Sequence, residues 1–146
     1  MTHLHFSSVR AAVAAALLIA AVDGYMRPVF AQDLEQHVQL SIELLELSVT
    51  EWRERIAVPA DSSAESRAAA LAAIEKKFKA ERSTLYERYS TSEAEQLTFF
   101  ASHATEVEDY FAEHTEVKAR IDELSQTLRT LIAQAESPGG PSGASR

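Results

Sequence analysis

The stretch that decides the fold runs from Asp33 to Val58 and reads DLEQHVQLSIELLELSVTEWRERIAV. Its apolar residues recur at alternating steps of four and three, the spacing of one helix face with a coiled-coil-like seam. The members of this seam are Val38, Ile42, Leu45, Val49, Trp52 and Ile56. Pro59 follows at once and cannot continue a helix, so the first helix is predicted to end at Val58.

The first helix carries a second apolar row, formed by Leu40, Leu44 and Leu47. Two residues advance an α-helix by about 200°, so this row lies on the side opposite the seam. A helix that is apolar on opposite sides either lies in the centre of a bundle or gives one side to another chain. The row is therefore a candidate partner-binding surface.

The remaining body is also helical by pattern and contains no glycine between residues 32 and 136. A second helix is predicted to start at a capping box formed by Ser62 and Glu65 and to reach about Tyr89. Arg82 interrupts the apolar stripe of this helix. An arginine in such a position most often buries its stem and keeps its guanidinium in water, and a binding role is the alternative.

A third helix is predicted to start at a capping box formed by Ser92 and Glu95. Its apolar rhythm slips after Phe111, so we expect a break at His114 and a fourth helix with Thr115 as its N-cap. Short linkers make sequential helices antiparallel neighbours, and the predicted fold is an all-α antiparallel four-helix bundle. The alternative is a long three-helix hairpin with a bent last helix, since neither glycine nor proline marks the last break.

The chain divides into a leader, a domain and a tail. Residues 1–10 hold one arginine and no acid, residues 11–22 are all apolar, and small residues precede Gln32, which is the order of a signal peptide cleaved after Ala31. A cut after Gly24 and an uncleaved tether are the alternatives, although a run of twelve residues is too short to span a bilayer. We expect a signal peptide (1–31), a helical bundle domain (32–136) and a disordered tail (137–146), with export to a bacterial periplasm.

Several classes of chemistry are not expected. The chain has no cysteine, which excludes disulfides and thiolate metal sites. The histidines of the body, His37, His103 and His114, lack the Glu-x-x-His spacing of di-iron bundles, so neither a metal nor a cofactor is expected. A formal charge of −8 argues against nucleic acid, and contact with a membrane is expected only if the leader is retained.

One strip on the third helix is a candidate ligand or partner surface. Phe99, His103, Tyr110 and His114 follow one another at spacings of four, seven and four, with Glu106 at the margin. The structural alternative is that these rings form the half-buried shoulder of a helix seam. The many acids nearby are read as a solvated face, because helical carboxylates diverge and do not converge on calcium.

The sequence favours a non-enzymatic exported protein that acts by contact with another protein or by self-association, as an adaptor, a chaperone-like factor or an envelope component. The second apolar row and the lack of a catalytic constellation are the reasons. The alternative is a carrier of a small apolar ligand, held between helices near Trp52, Phe78 and Phe100.

Overall fold

The computed structural model describes residues 31–136, and this part of the chain is all-α, as predicted. The described residues form five helices and no strand: α1 (Ala31–Ala57), α2 (Ala64–Arg88), α3 (Glu93–Ser102), α4 (Ala104–Glu113) and α5 (Thr115–Glu136). The predicted tail lies outside the described residues, and so does the predicted signal peptide apart from its last residue.

Serine side chains begin α2 and α3. Ser63 caps α2, because its hydroxyl accepts a hydrogen bond from the backbone amide of Ser66 at 3.1 Å. The cap predicted at Ser62 is therefore displaced by one residue, since two adjacent serines can both serve and the helix starts after the second. Ser92 caps α3 as predicted: it accepts from the amide of Glu95 at 3.2 Å and donates to the Glu95 carboxylate at 2.9 Å.

The turn after α2 reverses the chain without glycine. Ser90 has a φ of 50°, in the left-handed region that glycine usually occupies. The amide of Thr91 donates to the carbonyl of Tyr86 at 3.0 Å, and the amide of Ser90 donates to the carbonyl of Glu87 at 3.0 Å. This pattern is a Schellman motif, which satisfies the last carbonyls of the helix. The motif brings α3 back towards the start of α1.

α1 and α2 pack as an antiparallel hairpin whose register is marked by ion pairs. As residue numbers increase along α1, the numbers of their ion-pair partners on α2 decrease. The pairs are Glu43 with Arg88 at 2.9 Å, Glu51 with Arg82 at 2.6 Å, and Glu54 with Lys77 at 2.6 Å. Leu47 of α1 and Leu85 of α2 line the same groove between the two helices. Leu47 of the second apolar row therefore faces α2.

α1 and α5 pack along the predicted seam, and they run parallel. Near the start of α1, Leu34 and Val38 form a buried cluster with Val107 of α4, against which Val117 and Ile121 of α5 pack. Further along α1, Val49 forms a second buried cluster with Leu124 and Leu128. Residue numbers thus rise together on the two helices. The seam of α1 is the surface on which α5 lies.

The result is an up-down-up arrangement of three long helices, α1, α2 and α5, with α3 and α4 joining the last two at one end. α1 lies in the centre, and α2 and α5 make no comparably extensive contact with each other. The four-helix bundle is not confirmed, because the predicted third helix stops at His103 after ten residues and is too short to return along the bundle. The predicted break at His114 is present, and α5 starts at Thr115. Within residues 31–136, no helix combines the length and the apolarity that a membrane crossing requires.

Candidate functional site

The candidate site lies where α3 and α4 meet the first turns of α1. α3 ends at His103, whose backbone leaves the helical region at a φ of −127° and a ψ of 36°. The backbone amide of His103 donates to the carbonyl of Phe99 at 3.0 Å, and its Nδ1 contacts the same carbonyl at 2.9 Å. The imidazole stacks on the Phe99 ring, with centroids 4.5 Å apart. His103 thus ends one helix and opens the next with a fixed ring orientation.

His114 repeats this corner at the end of α4. Its amide and its Nδ1 both meet the carbonyl of Tyr110, at 2.8 and 2.9 Å, and the two rings stack with centroids 4.1 Å apart. The sequences FFASH (99–103) and YFAEH (110–114) are the same motif eleven residues apart. The motif is the signal that sequence reasoning missed, since only its second copy was read as a helix break.

His37 and Gln96 attach α3 to α1. The His37 ring stacks on the Phe99 ring, with centroids 3.7 Å apart. Phe99 is thus in contact with both His37 and His103. The Gln96 amide donates to the His37 carbonyl at 2.8 Å and to the Ser41 hydroxyl at 3.0 Å, and Gln96 Oε1 hydrogen-bonds His37 Nδ1. Gln96 is buried and fully bonded, although nothing in its sequence position marked it as important.

The structure divides the predicted strip into two stacked pairs on two helices. Phe99 and Tyr110 pack against the first buried cluster, as the structural alternative expects. His103 and His114 are each partly exposed, and so are the two rings on which they stack. We call these four residues the aromatic–histidine strip. It both supports the fold and presents ordered rings to solvent.

The acids around this strip have no basic neighbours in sequence, because residues 89–117 contain neither lysine nor arginine. The charges of two glutamates on other helices, one of them outside residues 89–117, act on Tyr110. Burial raises the pKa of Tyr110, and the charges of Glu35 on α1 and Glu116 on α5 raise the pKa further. Carboxylates of two separate helices thus both favour the neutral form of this half-buried phenol.

Four glutamates further along α1, at 43, 46, 51 and 54, are in contrast paired with bases. The buried carboxylate of Glu51 accepts hydrogen bonds from Arg55 at 2.6 and 2.9 Å and from Arg82 at 2.6 Å. Glu51 and Arg55 are four residues apart and lie on the same side of α1. Arg82 does not simply extend into water, since the antiparallel register places it opposite the only buried carboxylate of the described residues. Its role is to hold α2 on α1.

The candidate partner-binding row on α1 is buried at one end and partly exposed along the rest. Leu40 is fully buried, whereas Leu44 and Leu47 are partly exposed. Leu47 lines an open groove with residues of both helices: Glu43, Glu46, Thr50, Ala80, Glu81, Thr84, Leu85 and Arg88. A partner could reach the whole row only if α2 moved away. The central position of α1 accounts for the burial of Leu40, and partner binding at Leu44 and Leu47 stays a prediction.

The three aromatic residues named for a ligand carrier lie in different parts of the molecule. Phe78 is fully buried on α2, Phe100 packs against the first buried cluster, and Trp52 packs against the second. They do not line one shared space. In the part of the chain that the structure describes, no group of three or more histidines and carboxylates is placed to hold a metal ion.

Comparisons of the chain with protein-family models, with curated proteins and with solved structures found no match.

Proposed function

We propose that this chain is a non-enzymatic helical protein that acts by contact with another protein at the aromatic–histidine strip. The single observation that carries the proposal is the duplicated corner, in which Phe99 with His103 and Tyr110 with His114 are held as stacked, partly exposed pairs. Aromatic rings whose rotamers are already fixed lose little conformational entropy on binding, so they are effective anchors in interfaces.

The strip is a better candidate than the second apolar row of α1. Leu40 is fully buried, so binding at the whole row, including Leu40, would require separation of α1 from α2. That separation would break the ion pairs of Glu43, Glu51 and Glu54 with α2. The strip needs no such opening. The proposal rests on an up-down-up hairpin of three long helices, in which α3 and α4 serve as the connection that presents the strip.

Export to a periplasm is part of the same proposal and rests on the order of residues in the first thirty-one positions. N-terminal sequencing of the protein purified from its native cells tests it. A mature protein that starts at Gln32 or Tyr25 would support export with cleavage, and a retained Met1 would contradict cleavage.

Site-specific photo-crosslinking in the native cells tests the contact itself. Ser102 is replaced by a photoreactive amino acid, because this position is exposed and lies about one helical turn from Phe99. The matched control is Ala73, which is exposed on α2 and far from the strip in sequence. We expect a discrete heavier product from position 102 that is absent from position 73. No product from position 102, or the same product from both positions, would contradict the proposal.

A combined Tyr110→Ala and His114→Ala variant completes this experiment. The product from position 102 should fall at least severalfold in the variant if the strip provides the anchors. The urea midpoint of the variant must be measured beside it, because Tyr110 also packs on a buried cluster. An unchanged product in a variant that is still folded would remove the strip from the contact.

A further inference from the structure

The guanidinium of Arg82 has more hydrogen-bond donors than its partner Glu51 uses. Arg82 Nη1 donates to Glu51 Oε2 at 2.6 Å, and this is the only ion pair that Arg82 forms within residues 31–136. We infer that the other edge of this guanidinium, formed by Nε and Nη2, is a binding site for the carboxylate of a small organic acid or of an acidic side chain. We call this edge the Arg82 fork. The inference does not depend on the aromatic–histidine strip.

The nitrogens of the Arg82 fork have no partner in the described part of the chain and are open to solvent. Nη1 is the only atom of the Arg82 side chain that forms a hydrogen bond there, and the residue is only partly buried. Every buried side-chain nitrogen and oxygen of the described residues has a hydrogen-bond partner, so two nitrogens without one cannot be buried. The two N–H groups of such an edge are parallel and match the two oxygens of a carboxylate.

The Arg82 fork is held in place through Glu51. Arg55 donates to Glu51 Oε1 from Nε at 2.9 Å and from Nη2 at 2.6 Å, so both oxygens of this buried carboxylate are engaged. The Arg55 guanidinium in turn lies over the Trp52 ring, 5.7 Å from its centroid. A guanidinium anchored to a fixed carboxylate loses less conformational entropy when it binds a ligand than a free arginine does.

The ion pairs around Glu51 leave one positive charge without a counter-charge. Arg55 and Arg82 bind opposite oxygens of one carboxylate, so two cations share one anion. The glutamates at 43 and 54 differ, because each of them meets a single base of α2. A monoanion would neutralise the group around Glu51. A dianion such as phosphate would leave a negative charge in a chain whose formal charge is already −8, so a carboxylate is the favoured ligand.

Titration of the full chain with sodium butyrate at constant ionic strength tests the site. The signals to follow are the proton–nitrogen NMR resonances of the arginine Nε–H groups. We expect the Arg82 resonance to shift saturably, with half-saturation on the order of 1 mM. The resonance of Arg67, an exposed arginine of α2, should not saturate. Absence of a saturable shift at Arg82 would overturn the inference.

Arg82→Lys is the test variant, because lysine keeps the positive charge and a donor for Glu51 but has no fork. We expect butyrate to bind this variant about tenfold more weakly, measured by the backbone amide resonances around Glu51. The matched control is Arg67→Lys, which makes the same change at an exposed position and should bind as the wild type does. Equal weakening in both variants, or an unchanged affinity in an Arg82→Lys protein with the wild-type urea midpoint, would overturn the inference.

Two further probes identify the ligand. Inorganic phosphate should bind more weakly than butyrate, and tighter binding of phosphate would overturn the assignment to a carboxylate. A capped Ala-Glu-Ala peptide and its glutamine counterpart distinguish the two sources of a carboxylate. Tighter binding of the glutamate peptide than of butyrate supports an acidic side chain as the source, and weaker binding supports a small organic acid. Equal binding of the glutamine peptide would overturn the inference, because that peptide has no carboxylate.

Discussion

The buried carboxylate of Glu51 gives the sharpest prediction, because its partners differ from it in exposure. The Glu51 side chain is 5% exposed, whereas Arg55 and Arg82 are 24% and 27% exposed. A carboxylate that loses a partner here stays buried, whereas an arginine that loses the carboxylate can turn its guanidinium to water. Removing the arginine should therefore cost more than removing the glutamate.

The magnitudes follow from the hydrogen bonds. Arg82→Met removes one charged hydrogen bond of 2.6 Å and leaves Glu51 with Arg55 alone, so we expect a loss of about 2 kcal/mol in the free energy of unfolding. Glu51→Leu should cost about 1 kcal/mol, because both arginines can reach solvent. The double variant, Glu51→Leu with Arg82→Met, should return towards the wild-type value, since an apolar pair of similar volume replaces the buried ions.

Urea denaturation followed by circular dichroism at fixed pH measures these values. The matched control is Lys77→Met, which removes the exposed partner of Glu54 and should leave the urea midpoint nearly unchanged. The reasoning is refuted if Glu51→Leu is more destabilising than Arg82→Met, or if the Lys77 and Arg82 variants behave alike.

Other predictions concern the turn, the cap, the link to α3 and the pH dependence. Ser90→Gly should stabilise the protein by about 0.5–1 kcal/mol, because glycine tolerates the φ of 50°. The control is Ser83→Gly within α2, which should destabilise the protein. Urea midpoints of the two variants are compared. Ser92→Ala should lower the free energy of unfolding by about 1 kcal/mol in the same assay. An unchanged value would show that the Ser92 cap does not stabilise α3. Gln96→Leu should cost about 1–3 kcal/mol, since His37 loses its buried partner, and hydrogen exchange should rise first in α3. Burial and the bond to Glu43 raise the pKa of Tyr89 to about 12, so the stability that the neutral phenol contributes is complete below pH 10 and is lost as the pH rises from 10 towards 12. The free energy of unfolding, taken from urea curves across this interval, should fall by about 1–2 kcal/mol more in the wild type than in Tyr89→Phe, and parallel pH profiles would contradict the assignment.

Much of the fold could be predicted from one-dimensional patterns. The seam of α1 has a clear period, Pro59 stops the helix, and serine caps mark the starts of α2 and α3. The bounds of α1 and α2 and the starts of α3 and α5 therefore agree with the structure within a residue or two, whereas the end of α3 does not. The relative direction of α1 and α5 could not be predicted in this way. It depends on whether α3 and α4 form a full-length arm, and the break at His103 carries no glycine or proline to show that they do not.

The candidate site was only partly predictable for a related reason. The four strip residues were identified by spacing, but their pairing depends on corners where a histidine side chain bonds the carbonyl four residues earlier. The repeat of FFASH as YFAEH indicates such corners once one of them is known. Arg82 and Gln96 act across helices, and their partners 31 and 59 residues away follow from the register of packing, which no local pattern contains.

The central position of α1 has a consequence for how the molecule comes apart. α2 and α5 both pack on α1 but make little contact with each other, so the detachment of one leaves the apolar contacts of the other with α1 in place. Their backbone amides can therefore exchange with deuterium through separate openings of different free energy. The amides in the middle of α1 stay protected until both flanking helices have left, and their exchange reports the unfolding of the whole domain.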